Sequence, residues 1–253
     1  MEEFEYDTTP HSLSDFEFEQ HAFYLLLSSR KSGKSFMIQD LAYTLLKRKL
    51  VNYIYLFSAT AKKASAGYEW IDKRCVMDVE MIDEGVKYIL NLQEKNEGKN
   101  NVLVIFDDID LNHRYADSID KLATRGRHYG VTTVLSAQIT NMAVTSAIKA
   151  NAQYIFFRTL TAVAIKKEVY SILSNTMFEF PRDLYKFVRK NNRAYQFVVY
   201  LNDNREPEDA IKVVKAEQKK FRYECNTPHI PEKKKEDENG RRALSGIPSK
   251  YIR

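Results

Sequence analysis

An α/β fold, with a doubly wound and mostly parallel sheet flanked by helices, is what this sequence predicts. Three observations predict it. Across residues 21–202, short apolar runs alternate with stretches of helical period. One run, residues 102–106 (VLVIF), is apolar throughout, as a central strand covered on both faces must be. A Gly-Lys-Ser triplet, Gly33-Lys34-Ser35, stands where an apolar run gives way to a helical pattern.

The elements follow in order. Residues 22–27 (AFYLLL) read as a short buried strand. Residues 34–48 read as a helix, because Met37, Ile38, Leu41, Ala42, Leu45 and Leu46 recur at intervals of three and four. Residues 53–57 (YIYLF) are a second strand, 80–95 a helix and 102–106 the third strand. A helix over 115–127 leads to a fourth strand, residues 131–137 (VTTVLSA). Residues 153–157 make a fifth strand and residues 193–200 (RAYQFVVY) a sixth.

Composition sets the outer limits. The chain has 253 residues, of which 44% are apolar and 29% charged. That balance supports a globular core and excludes a collagen-like or wholly disordered chain. The longest purely apolar stretch, residues 22–27, is far short of the roughly 18 residues a membrane span needs. No signal peptide is expected from the N-terminus. The two cysteines, Cys75 and Cys225, lack metal-ligand spacing and read as reduced thiols of a reducing compartment. The net charge of +5 leans toward a polyanionic partner. Residues 1–20 carry seven acids and no Lys or Arg, and form an acidic lead-in expected to be partly mobile. Residues 21–204 form the main domain. Residues 205–253, with thirteen Lys or Arg and nine acids, read as a loosely ordered basic tail with one helix near 207–222.

The junction after the first strand reads Ser28-Ser29-Arg30-Lys31-Ser32-Gly33-Lys34-Ser35, with Phe36 opening the helix. This is a P-loop, or Walker A motif, G-x-x-x-x-G-K-[ST], with Ser28 in place of the first glycine. Successive backbone N–H groups and the positive end of the helix bind phosphate oxygens. Lys34 brings a mobile positive charge to the β- and γ-phosphates, and the Ser35 hydroxyl suits Mg²⁺. Ser28 can replace glycine if its φ is negative. The cofactors expected are therefore ATP and Mg²⁺.

The third strand ends in Asp107-Asp108, a Walker B pattern at the carboxyl end of a buried strand. Asp107 is the expected metal ligand and Asp108 the residue that polarises the attacking water. Gln138, after the fourth strand, is placed as a γ-phosphate sensor. Arg125 and Arg127 flank Gly126 just before that strand. Arg127 suits either a solvated helix end or an arginine finger for a neighbouring subunit. The abundant Tyr and Phe follow strand and helix spacing and read as core.

The combination GKS, VLVIFDDID, RGRHYGVTTVLSAQ and IKANAQYIFFR resembles the poxvirus-type DNA-packaging ATPases of large DNA viruses, virophages and related transposons, within the FtsK/HerA superfamily. The resemblance covers residues 21–200, and Ser28 departs from it. It implies a RecA-like core in which the sensor strand lies between the Walker A and Walker B strands. It further implies a homo-oligomeric ring, a hexamer or pentamer, around double-stranded DNA. ATP would bind between subunits, held by Lys34, Ser35, Asp107, Asp108 and Gln138 from one and Arg127 from the next. Hydrolysis would drive viral DNA into a capsid, in the host cytoplasm at the viral factory, with the protein also carried in the virion. Lys62-Lys63 and Arg114 are the candidates for DNA contact. Two other readings remain open from the residues alone: a P-loop nucleotide or nucleoside kinase, and a nucleotide-binding adaptor for DNA or capsid that does not turn over.

Overall fold

The computed structural model describes residues 8–29, 31–63, 67–109, 113–137, 144–158, 160, 163–173, 180–202, 209–228 and 230. Among them, nine strands form one sheet. They are β1 (Pro10–Ser12), β2 (Phe23–Ser28), β3 (Tyr53–Ser58), β4 (Val76–Met77), β5 (Val102–Ile109), β6 (Val131–Ala137), β7 (Tyr154–Arg158), β8 (Gln196–Leu201) and β9 (Ile211–Lys215). The helices are α1 (Lys34–Lys47), α2 (Ile82–Lys95), α3 (His113–Arg125), α4 (Ser146–Asn151), α5 (Val163–Leu173) and α6 (Pro181–Lys190).

The strand order is β1-β9-β8-β7-β2-β6-β5-β3-β4. From β7 to β4 every neighbouring pair is parallel. Strand β8 is antiparallel to both β7 and β9, and β1 lies parallel to β9. The six expected strands are all present, and the phosphate-loop strand β2 is central. Strand β6 separates β2 from β5, as the resemblance implied. The chain leaves β2 toward β3, returns through β5 and β6, then passes to β7 on the other side. That reversal makes the carboxyl end of β2 a switch point, where such sheets open a crevice for ligands.

The near-continuous apolar runs follow from burial on both faces. Side chains alternate across the sheet. Leu25, Leu27, Val104, Phe106 and Leu135 face one layer, with Ile82, Val86 and Ile89 of α2 and Ile119 and Leu122 of α3. Tyr24, Leu26, Leu103 and Ile105 face the other, with Met37, Ile38, Leu41 and Leu45 of α1. Gly130 enters β6 at φ +70°, where a Cβ would meet the carbonyls of Asn100 and Gly98 at 2.8 Å. Only glycine fits that corner.

Described parts of the lead-in and of the tail pack against the core. Leu13 and Phe18, within the acidic lead-in, are buried, and the Arg48 guanidinium donates to the carbonyls of Ser14 and Phe16. Of the helix expected near 207–222, the described residues 209–222 show none. Strand β9 stands there, because Ile211, Val213 and Val214 are β-branched and find a buried ladder against β8. Residues 216–228 then return over α1. Glu217 N–H donates to Asp40 Oδ2 at 2.7 Å, and Gln39 Nε2 donates to the Lys219 carbonyl at 3.0 Å. Tyr223 pairs with Ile71 as an isolated bridge.

This path corrects the reading of the cysteines. Cys75, beside β4, and Cys225 form a disulfide with Cα atoms 5.8 Å apart across a sequence separation of 150. Counting cysteines cannot show that the last segment comes back to the β4 edge. The cross-link closes a long loop in the unfolded chain. Cys225→Ser should therefore lower the unfolding free energy by about 2–4 kcal/mol in denaturant titrations. A reducing agent should lower the wild type equally and leave the variant unchanged.

Candidate active site

The phosphate loop joins β2 to α1. Ser28, the last residue of β2, is buried and in strand register with Arg158. It is not among the residues of positive φ, so a Cβ costs nothing there. Its Oγ lies 2.5 Å from Ser32 Oγ, a bond that ties the start of the loop to its end. The turn itself is made by Lys31 at φ +57° and Gly33 at φ +87°, the N-cap of α1. The missing first glycine is thus replaced by a hydroxyl bridge, and the left-handed geometry falls later in the loop. The Lys34 ammonium donates to the carbonyls of Ser28 and Ser29 at 3.0 and 3.2 Å, which holds it at the loop's mouth. Arg30 lies outside the described residues.

The acidic pair closes the other side. Asp107 is buried, in register with Ser58 of β3 and Ser136 of β6. Strand β5 does not stop there. It bulges at Asp108, which sits at φ +58°, and resumes at Ile109. A bulge re-aims a side chain, and it brings both acids to one cleft. That cleft, of about 460 Å³, is lined by Lys31 to Phe36 of the loop and helix, by Thr60, and by Asp107 and Asp108. Ser35 Oγ and Asp107 Oδ2 face each other at 3.5 Å. Two hard oxygens so placed fit a magnesium ion.

Four residues near the cleft carried no signal in the sequence. The Tyr68 hydroxyl, buried, donates to Asp107 Oδ2 at 2.5 Å. Burial first, and then the Asp107 charge, push the phenol's pKa far above its ordinary value, so it stays a donor. Ser136 Oγ is buried with no hydrogen-bond partner among the described residues, one strand from Asp107. Arg158, at the end of β7, donates to the Ser32 carbonyl and through Nε to Asn192 Oδ1 at 2.9 Å. Burial lowers the basicity of its guanidinium, and Tyr195 acts the other way. Tyr195 stacks on Phe36, with ring centroids 4.4 Å apart. Ser136 and Arg158 fall in segments that carry the resemblance but were given no role there, and Tyr68 and Tyr195 fall in no motif; each reaches the site from a distant part of the chain.

Other expected residues lie elsewhere. Gln138 is outside the described residues, as is the side chain of Arg114. Arg125 and Arg127 are exposed, before β6 begins. The cleft lies at the carboxyl end of the parallel strands, so Arg127, just before β6, is at their opposite end, about 20 Å away for a strand of this length. It cannot serve its own cleft. Lys62 pairs with Asp78 at 2.9 Å, and Lys63 is exposed. No helix among the described residues is long and apolar enough to cross a membrane.

No family model matches the chain, and no curated protein matches it in sequence. Solved structures do match in fold. The genome-packaging NTPase B204 of Sulfolobus turreted icosahedral virus 2, in complex with AMPPCP, superimposes with a TM-score of 0.56 at 16% identity. The match covers 79% of this chain and 100% of B204. The conjugation coupling protein TcpA of pCW3, with ATPγS, gives 0.54 at 15% identity over 79% of this chain and 62% of TcpA. EssC (ATPases 2 and 3) of Geobacillus thermodenitrificans gives 0.55 at 10% identity, over 80% of this chain and 41% of EssC. The chain therefore shares the mixed α/β, mostly parallel fold of these P-loop NTPases.

Proposed function

We propose that this protein is an ATP-hydrolysing DNA translocase that packages viral double-stranded DNA into capsids. One observation carries the reading: Lys34 and Ser35 of the phosphate loop share a cleft with Asp107 and Asp108 at the switch point of the sheet. The fold shared with B204, a genome-packaging NTPase, supports the choice of packaging.

The cleft's residues divide the work. Ser35 and Asp107 would hold Mg²⁺, which supplies positive charge against the β- and γ-phosphates. Asp108 orients a water in line with the γ-phosphorus and takes its proton as the new P–O bond forms. The bond from the γ-phosphorus to the β–γ bridging oxygen breaks, leaving ADP and phosphate. Lys34 neutralises charge on the γ-phosphate oxygens. Gln138 senses the γ-phosphate. Arg127, exposed and remote from its own cleft, acts on the site of the next subunit in a ring, a hexamer or pentamer. Double-stranded DNA and the viral capsid are the partners. We place the work in the host cytoplasm, at the viral factory, and in the virion.

Four measurements test this. Lys34→Ala should bind ATP poorly, whereas Asp108→Asn should bind ATP and lose at least about 100-fold in steady-state phosphate release. If neither variant hydrolyses more slowly than wild type, the enzyme reading is wrong. Specific activity should rise with protein concentration and with added duplex DNA, needing no acceptor substrate. Arg127→Ala should abolish the rise with protein concentration and cost about 10³–10⁵ in kcat. Tyr68→Phe should weaken Mg–ATP binding by about 10-fold or more, because the Asp107 carboxylate loses the hydroxyl that orients it. Binding of ATP in EDTA should be unchanged by that substitution.

A further inference from the structure

The geometry points to a seat for the nucleobase at the part-exposed Tyr195, with the Arg158 guanidinium beside it. This rests on the nucleotide reading above and adds the direction in which the nucleoside leaves the loop.

The sheet order sets that direction. Asp107 and Asp108 mark the γ-phosphate end at the tip of β5, two strands to one side of β2. A triphosphate lying in the loop then points its nucleoside toward the other flank, above β7 and β8. Two side chains meet the loop at that flank. A Cβ built on Gly33 would lie 3.3 Å from an Arg158 guanidinium nitrogen and 3.4 Å from the Tyr195 ring.

Tyr195 occupies an unusual position. Gln196 N–H donates to the Arg193 carbonyl at 3.0 Å, so a turn spans 193–196 with Tyr195 third. Its φ is +59°, a value that turns of this kind normally give to glycine or asparagine. A bulky aromatic at positive φ is held only where its side-chain contacts outweigh the strain. One such contact is the stack on Phe36, which immediately follows Ser35. Yet 44% of Tyr195 remains exposed, one of few large apolar residues so placed among those described. Arg158 is fixed beside it by Ser32 and Asn192. The guanidinium already lies over the Phe197 ring, so the aromatic face of Tyr195 is the surface on which a base stacks.

Calorimetric titration of the full chain with Mg–ATP and with inorganic tripolyphosphate tests the assignment. Tyr195→Ala should weaken ATP by about 10- to 100-fold and leave tripolyphosphate unchanged. Tyr195→Phe should retain both affinities. If ATP and tripolyphosphate weaken together in Tyr195→Ala, the ring only braces Phe36 and the loop, and the proposal is overturned. If neither weakens, the base lies elsewhere and the proposal is likewise overturned. If the wild type binds neither compound, the nucleotide reading itself fails.

Discussion

The site depends on one constraint: the first turn of α1 and the end of β5 must meet across an intervening strand. Strands β2 and β5 are separated by β6, so their axes lie about 10 Å apart. Ser35 and Asp107 nevertheless approach to 3.5 Å above β6. That is possible because the β6 residue beside Asp107 is Ser136, small and fully buried. A large side chain at that position would fill the space through which the serine and the carboxylate face each other. The bulge at Asp108 then turns the second acid into the same cleft instead of back along the ladder.

Around this meeting point the two ends of the cleft differ in chemistry. Toward β5 and β3 the groups are acidic or hydroxylic: Asp107, Asp108, Thr60 and the buried Tyr68. Toward β7 and β8 they are cationic and aromatic: Arg158, Tyr195 and Phe36. Lys34 stands between the two. Such polarity gives an asymmetric ligand only one favourable orientation, with its metal-bearing end and its planar end each opposite a matching surface.

Much of this was legible in the residues. The strands buried on both faces could be found because double burial leaves no polar positions, as in VLVIF. The phosphate loop and the acidic pair could be found because their chemistry is local in sequence. The rest was not local. Strand β9 carries Lys212 and Lys215 among its buried apolar residues, and so it resembled a solvated segment. Tyr68, Arg158 and Tyr195 act through tertiary approach across tens of residues. The disulfide joins positions whose proximity exists only after the last segment has folded back. Ser28 was visible as a departure, but its hydroxyl bridge to Ser32 depends on loop geometry that no spacing rule contains.

The pairing of β1 with β9 has a consequence for synthesis on the ribosome. Pro10 lies beside Val213, so the first strand waits for a partner made about two hundred residues later. Vectorial folding from the amino terminus can build the parallel centre, but β1 stays without its partner until β9 has been made. Until then a nascent chain of this kind carries an open hydrogen-bonding edge, and at high copy number such edges are where two growing polypeptides would pair wrongly.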